Sequence, residues 1–209
     1  MIRALIALLL LGDQALAWAQ EPPKELPASP QASTPVVDPA HALSGRALVE
    51  ALRGGGYVLL MRHAQQVRYT PECKPEEPNL GPAGQAQARL VAAGLRNLRI
   101  PVGSVQASMF CRAIETAQLL EAGPVTATPD LNPATLNDKE LHAARRKLLA
   151  DPPKAGTNTI LVSHFHNSAS DEERVRYELA EAIVYRPDGR GSAVAVARIR
   201  PGDWASLPR

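Results

Sequence analysis

Two short, nearly continuous apolar runs constrain the fold more than any other feature of the sequence: Tyr57–Met61 and Thr159–Ser163. Such runs predict strands that are buried on both faces of a sheet. Helical patterns and weaker strands lie around them: Ala83–Leu98, Cys111–Ala122 and Leu136–Leu149 as helices, Ser104–Ser108 and Val125–Thr128 as strands. Strands that alternate with helices predict an α/β domain with a mostly parallel sheet and helices on both faces.

The two ends of this domain have their own signals. Ser44–Leu52 is predicted as a helix with Ser44 as its N-cap, and three glycines follow it. Near the C-terminus, the turn signal Pro187-Asp188-Gly189 separates Ala182–Arg186 from Ser192–Arg198, which predicts a hairpin.

The first residues are typical of a targeting segment rather than of a fold. Arg3 precedes the apolar run Ala4–Leu11, and Ala17-Trp18-Ala19 fits a small-x-small cleavage site, so residues 1–19 are predicted as a cleaved signal peptide. The run is shorter than the roughly 20 residues of a membrane span, so no stable membrane anchor is expected. Residues 20–41 are rich in Pro and Ala and are predicted as a flexible tether, with one domain at 42–209. The expected location is the periplasm or outside the cell.

Charge and cysteine content narrow the function further. The net charge is only +2 and no basic stripe is visible, which argues against nucleic acid as a partner. The short run Arg145-Arg146-Lys147 is interpreted as an exposed helix face. Cys73 and Cys111 are the only cysteines, and an oxidising compartment would permit a disulfide between them. The sequence leaves open whether they meet.

Ionisable residues follow three of the predicted strands. Arg62 and His63 come directly after Tyr57–Met61, His164 comes directly after Thr159–Ser163, and Arg112 lies in the first turn of the helix after Ser104–Ser108. Ligands of parallel sheets bind at the carboxyl ends of the strands. If these strands are neighbours, the two histidines and two arginines converge on one edge.

This combination suits a phosphoryl group. Guanidinium groups match phosphate oxygens and stay charged, a helix N-terminus adds free N–H groups, and a neutral imidazole can attack phosphorus. Because the arginines neutralise the charge, neither a metal nor another cofactor is required. His166 forms an H-x-H pair with His164, but only His142 offers a further ligand, so no metal site is expected.

Four segments together resemble the histidine phosphatase superfamily, which has the phosphoglycerate-mutase-like fold: Y-V-L-L-M-R-H-A (57–64), L-G-P-A-G-Q-A-Q-A (80–88), S-M-F-C-R-A-I-E-T-A (108–117) and I-L-V-S-H (160–164). The resemblance implies that Arg62 and Arg112 bind phosphate, that His63 is the nucleophile and that His164 is the second pocket histidine. Residues 181–204 are similar to the closing hairpin of exported members.

Several positions depart from the family pattern. Ala64 replaces the usual Gly, and the stretch 65–69 lacks the Ser and Asn of the mutases, which disfavours mutase activity; Arg68 in that stretch is interpreted as a solvated base. Phe165 stands where the phytase-like branch has Asp. Asn167 fits an H-x-x-N pattern and is predicted as a phosphate ligand.

The group that protonates the leaving oxygen is therefore the open question. Asp130, Asp138 and Glu140 are candidates, and a member without a donor is also conceivable for good leaving groups. Asp130 is favoured because it follows the weak strand Val125–Thr128 and so falls near the same sheet edge.

Taken together, the sequence predicts an exported, metal-independent phosphomonoesterase that works through a phosphohistidine on His63. The alternative is a catalytically weak phosphate-binding envelope module of the same fold. The expected substrate is a phosphorylated small molecule or an envelope sugar, by analogy alone. The sequence gives no indication of the oligomeric state.

Overall fold

The computed structural model describes residues 37–68, 73, 78–133, 138–164 and 178–209. Four helices and six strands make up this part of the chain. The helices are α1 Gly45–Gly54, α2 Pro82–Asn97, α3 Cys111–Leu119 and α4 Asp138–Ala150. The strands are β1 Val58–Arg62, β2 Val102–Ser108, β3 Val125–Thr128, β4 Asn158–Ser163, β5 Ala182–Pro187 and β6 Ala193–Ile199.

The six strands form one sheet in the order β3-β2-β4-β1-β5-β6. The first four run parallel, β5 is antiparallel to β1, and β6 is antiparallel to β5. The predicted fold class, a mostly parallel sheet in a single α/β domain, is confirmed.

Strand β1 shows why the two apolar runs are uninterrupted. Val58 and Leu60 pack into a cluster that includes Leu149 of α4, whereas Leu59 and Met61 pack on the opposite face against residues of α1, α2 and α3. Successive side chains of a strand point to opposite faces, so a strand covered on both faces needs apolar residues throughout. Helices therefore cover both sides of the central strands.

Two local predictions were wrong. Helix α3 ends at Leu119 rather than at Ala122, and Glu121 takes a positive φ of 51° in the turn that follows. Arg145 was assigned to an exposed helix face, but it is fully buried, while its neighbours Arg146 and Lys147 are exposed. Arg145 lies on the face of α4 that packs against the sheet, so tertiary packing overrides its intrinsic preference for water.

The N-terminal predictions fall almost entirely outside the described residues. Of the predicted tether, Pro39–His41 forms a single 3₁₀ turn that Asp38 caps by accepting a hydrogen bond from the Ala40 N–H. Leu43 then donates from its backbone to Val196 of β6, which attaches the chain to the sheet edge. Within the described ranges, no helix has the length and apolar character that a membrane crossing needs.

Gly84 of α2 marks a close approach between this helix and the loop after β1. A Cβ atom placed on Gly84 would lie 2.0 Å from the carbonyl oxygen of Gln65. The chain at Gln65 is also held by α2, because its N–H donates to the side-chain carbonyl of Gln87 at 2.9 Å. Glycine at this point of the L-G-P-A-G motif thus lets α2 pack against the loop that follows His63.

We expect Gly84→Ala to lower the free energy of unfolding by about 1–3 kcal/mol, because either the helix or the loop must shift to relieve the overlap. Thermal unfolding followed by circular dichroism measures the effect. Gly54→Ala is the matched control, since nothing lies within 4 Å of the Cβ it would add. Equal melting temperatures for Gly84→Ala and the unmodified protein would contradict the close packing.

Candidate active site

The strand order brings the predicted residues to one edge of the sheet. Strand β4 lies between β2 and β1, and all three run in the same direction. Arg62 is paired with Ser163 at the end of β1 and β4, and the His63 N–H donates to the Ser163 carbonyl at 2.9 Å. His63 and His164 therefore leave adjacent strands side by side, with their ring centroids 5.2 Å apart.

His63 is 7% exposed, and both of its ring nitrogens have a partner. Nδ1 lies 2.8 Å from the carbonyl oxygen of Ala64, and Nε2 lies 3.2 Å from Nε of Arg112. A carbonyl only accepts and a guanidinium only donates. The proton therefore belongs on Nδ1, and the lone pair on Nε2 faces Arg112.

His164, 5% exposed, is held in a similar way by the same arginine. Nη2 of Arg112 lies 3.1 Å from Nδ1 of His164, and Nε2 of His164 lies 2.8 Å from Oγ of Ser108. Because the guanidinium only donates, Nδ1 of His164 accepts and Nε2 carries the proton. Arg112 thus bridges the two histidines, and each imidazole points a lone pair at it.

Helix α3 positions Arg112 through two further contacts. The ring of Phe110 lies under the guanidinium, whose central carbon is 4.4 Å from the ring centroid. Thr116, one turn later, donates from Oγ1 to the Arg112 carbonyl at 2.6 Å and accepts from the Ala64 N–H at 2.9 Å. Thr116 therefore joins the helix that carries Arg112 to the loop that follows His63.

Sequence reasoning missed Ser108, Phe110 and Thr116 as parts of the site. All three lie within the S-M-F-C-R-A-I-E-T-A segment that was singled out for Arg112. The spacing of four between Arg112 and Thr116, on one face of a helix, was the signal that could have identified Thr116.

Burial and neighbouring charge keep His63 neutral. Its pKa falls from 6.5 to about 4, chiefly because burial penalises the imidazolium, and the positive charges of Arg112 and Arg62 lower it further, against the opposing hydrogen bond to Ala64. Burial, and then the charge of Arg112, also lowers the pKa of Arg62 below its usual value, and that group stays charged. A neutral imidazole beside two guanidinium groups is the state that a nucleophile of phosphorus requires.

We therefore expect His63 to titrate with a midpoint of about 4, well below the 6.5 of an ordinary histidine. At pH 5 it stays about 90% neutral, whereas an ordinary histidine would be about 3% neutral. Because the unfolded chain binds this proton at a higher pH than the folded protein does, the free energy of unfolding decreases as the pH falls from about 6.5 towards 4. NMR titration of ¹⁵N-histidine-labelled protein, with His63→Ala for assignment, checks this; a midpoint near 6.5 would contradict it.

A disulfide attaches Cys73 to the start of α3. Cys73, exposed, is bonded to Cys111, which is buried as the first residue of α3 and directly precedes Arg112. Glu115 of the same helix accepts from the backbone N–H groups of Asn79 and Leu80, at 2.9 and 2.8 Å. The chain between β1 and α2 is thus attached to α3 both covalently and by a carboxylate.

We expect Cys73→Ser to lower the free energy of unfolding by about 2–4 kcal/mol, as removal of a cross-link across a 38-residue separation does. The exposed cysteine is the better position to change, because serine there leaves the core intact. Urea unfolding with and without a thiol reductant measures the loss. The reductant should lower the free energy of unfolding of the unmodified protein to that of Cys73→Ser and should not change that of the variant. An unmodified protein whose stability does not respond to the reductant would contradict the disulfide.

The three candidate proton donors lie in different elements: Asp130 in a 3₁₀ turn, and Asp138 and Glu140 in α4. Asp130 is half-buried in the 3₁₀ turn Pro129–Leu131, whose last carbonyl accepts a hydrogen bond from the Ser163 hydroxyl at 3.1 Å. Asp130 is therefore carried by a turn that contacts the residue before His164. Asp138 begins α4, and Glu140 is exposed on it.

Two further predictions concern residues that are not described. Asn167, predicted as a phosphate ligand, and His166 of the H-x-H pair both lie outside the described residues. In the parts of the chain that are described, no three His, Cys, Asp or Glu side chains are grouped in a way that would hold a metal ion.

Comparisons with known proteins place this arrangement in a family. The family model of the histidine phosphatase superfamily (branch 1) matches residues 58–167. Among solved structures, the protein histidine phosphatase SixA complexed with tungstate is 17% identical; the likeness covers 70% of this chain and 98% of that one, with a TM-score of 0.50.

A protein from Nakamurella multipartitia, described as a phosphohistidine phosphatase SixA, is 18% identical, with 72% of this chain and 99% of that one covered and a TM-score of 0.50. A search of curated protein sequences finds no match. The solved structures share the fold, and the family model spans more than half of the chain, including both strand-exit histidines and Arg112. The protein belongs to the histidine phosphatase superfamily.

Proposed function

We propose that this protein is an exported phosphomonoesterase that passes the phosphoryl group through a phosphohistidine on His63. The observation that carries the proposal is the bridge of Arg112 between the two histidines, since it puts one buried lone pair beside a fixed guanidinium. A phosphate that enters this space meets the nucleophile and the neutralising charge together.

The reaction follows from this geometry in two displacements. Phosphate oxygens take over N–H groups of Arg112, which frees the lone pair of His63 Nε2. Nε2 then bonds to phosphorus as the ester P–O bond breaks, and the leaving oxygen takes a proton, for which Asp130 is the proposed donor. Water next attacks phosphorus and returns a proton to the deprotonated Asp130 while the P–N bond breaks, and inorganic phosphate leaves. Arg62 and Arg112 stabilise the charge on the phosphoryl oxygens, and His164 holds Arg112 in place by accepting from its Nη2, so the scheme needs no metal or other cofactor.

Two features support export. The N-terminal segment has the pattern of a signal peptide, and the disulfide between an exposed Cys73 and Cys111 is of the kind that persists in oxidising compartments. Expression with a C-terminal tag, fractionation of the cells and N-terminal sequencing test this. The expected mature protein is periplasmic or secreted and starts at Gln20; a chain that keeps residue 1 in the cytoplasm contradicts it.

The proposed substrates are phosphorylated small molecules, with envelope phosphosugars first because of the proposed location. Phosphate release is measured over a panel of phosphosugars, phosphopeptides, nucleotides and a phosphohistidine-bearing protein, the last because SixA is named a protein histidine phosphatase. The expected result is release that depends on His63 from at least one member of the panel. Release that His63→Ala leaves unchanged would overturn the assignment.

One observation favours a second candidate, a phosphate-binding module with weak catalysis. Arg112 donates to the nucleophilic nitrogen, so His63 Nε2 is hydrogen-bonded in this structure. If phosphate does not displace that bond, binding occurs without attack. Acid-quenched labelling separates the two: phosphorylated His63 supports the enzyme, and saturable phosphate binding without labelled protein supports the module.

A further inference from the structure

The hydrogen bonds of the site form one chain whose directions are all fixed. Arg112 donates to both histidines; His63 donates onward to the Ala64 carbonyl, and His164 donates onward to the Ser108 hydroxyl. We call these five groups the site network. The two imidazoles use opposite nitrogens, Nε2 for His63 and Nδ1 for His164, to face the same guanidinium.

The site network ends at a backbone carbonyl on the His63 side, that of Ala64, and at a side-chain hydroxyl on the His164 side, that of Ser108. Ser108 is fully buried as the last residue of β2, and it is paired with Thr128 of β3. Its Oγ is 2.8 Å from Nε2 of His164, and the Phe110 N–H points to the same oxygen at 3.5 Å. The hydroxyl is therefore held by the sheet on one side and aimed at the imidazole on the other.

We propose that Ser108 is a positioning residue for the phosphoryl-transfer reaction. By accepting the Nε2 proton of His164, it stabilises the same tautomer that Arg112 favours, with the Nδ1 lone pair facing Arg112, and through His164 it sets where Arg112 presents its N–H groups to phosphate. The role in catalysis rests on the proposed function; the tautomer assignment does not.

Removing the hydroxyl changes the balance between the two tautomers. In Ser108→Ala the buried Nε2–H of His164 loses its acceptor, which is costly in an apolar environment. Arg112 still favours the Nε2–H tautomer, but the advantage of that tautomer shrinks and the fraction of molecules with the proton on Nδ1 rises; in that fraction two donors face each other. Both the imidazole ring and Arg112 are then held less firmly, and we expect kcat/KM to fall on the order of ten- to a hundredfold.

The test uses ¹⁵N-histidine-labelled protein and long-range ¹H–¹⁵N spectra, which distinguish Nδ1–H from Nε2–H imidazoles. The unmodified protein should show His164 with its proton on Nε2 and His63 with its proton on Nδ1. Ser108→Ala should move the His164 signals towards the Nδ1–H form, and Ser108→Thr, which keeps the hydroxyl, should restore both the spectrum and kcat/KM. Ser104→Ala, at the other end of β2, is the matched control and should change neither.

The outcomes separate this role from the proposed function. His164 with its proton on Nδ1 in the unmodified protein, or a Ser108→Ala variant with unchanged tautomer and unchanged kcat/KM, overturns the positioning role and leaves the nucleophile in place. Failure of His63→Ala to reduce turnover overturns the proposed function, while the spectra still decide the tautomer. A fall in kcat/KM that Ser108→Thr does not restore, with an unaltered His164 spectrum, also counts against positioning.

Discussion

His63→Ala is expected to reduce phosphomonoester turnover by at least about 10³-fold. In the proposed reaction the neutral imidazole bonds to phosphorus, and among the described residues no neighbouring side chain places a second lone pair at the same point, since Nδ1 of His164 is directed at Arg112. The phosphohistidine should disappear with the activity. Steady-state phosphate release and acid-quenched labelling with radioactive substrate measure the two losses.

The control for this variant is His41→Ala, which removes an exposed histidine from the 3₁₀ turn at Pro39–His41, far along the chain from the site. It should keep full activity. Because alanine leaves a cavity at the buried position 63, the melting temperature of His63→Ala is recorded as well. A folded variant that still releases phosphate at one tenth of the normal rate or faster would contradict the nucleophile assignment.

Arg112→Lys is expected to reduce kcat/KM by at least about 10²-fold, although it keeps the positive charge. The guanidinium donates from Nε to His63 and from Nη2 to His164, and its planar fork then serves phosphate oxygens. A lysine ammonium has one nitrogen and cannot reach both histidines in that geometry. Arg112→Ala, which removes the charge too, should lose about 10³-fold.

Arg96→Lys is the matched control, because Arg96 forms an exposed ion pair with Glu121 on the surface. It should change kcat/KM by less than about twofold. Measuring kcat and KM separately shows whether Arg112 serves binding, the chemical step or both. An Arg112→Lys variant with the activity of Arg96→Lys would contradict the bridging role.

The fold could be predicted from the sequence because the patterns that specify its strands and turns are local. The run Tyr57–Met61 is apolar throughout since both faces of β1 are covered, and that requirement is visible without any structure. The hairpin was equally visible from its turn residues. The end of α3 was predicted too late because Leu120–Ala122 remains apolar or helix-favouring after the helix has stopped.

The site could be predicted only in part from the sequence, because the order of the strands decides which residues come together. Charged and aromatic residues at strand ends stand out, whereas Ser108 and Thr116 are small hydroxyl residues of a kind found in any turn or helix. Their roles arise from β2 lying beside β4 and from α3 lying against the loop at Ala64, contacts between residues 52 or more positions apart. The same holds for the two cysteines, whose meeting no spacing in the sequence implies.

If the protein is an exported enzyme, as proposed, the position of the disulfide has a consequence for when it becomes active. The bond joins the residue directly before Arg112 to Cys73, in the stretch between β1 and α2 that also donates hydrogen bonds from Asn79 and Leu80 to Glu115 of α3. In a reducing cytosol the two sulfurs are thiols, and the arginine-bearing end of α3 lacks its covalent anchor. A chain that is made there and exported would thus be fully assembled only at its destination. Phosphorylated metabolites of the cytosol would then escape hydrolysis because the enzyme is not yet fully assembled there, and not because its pocket excludes them.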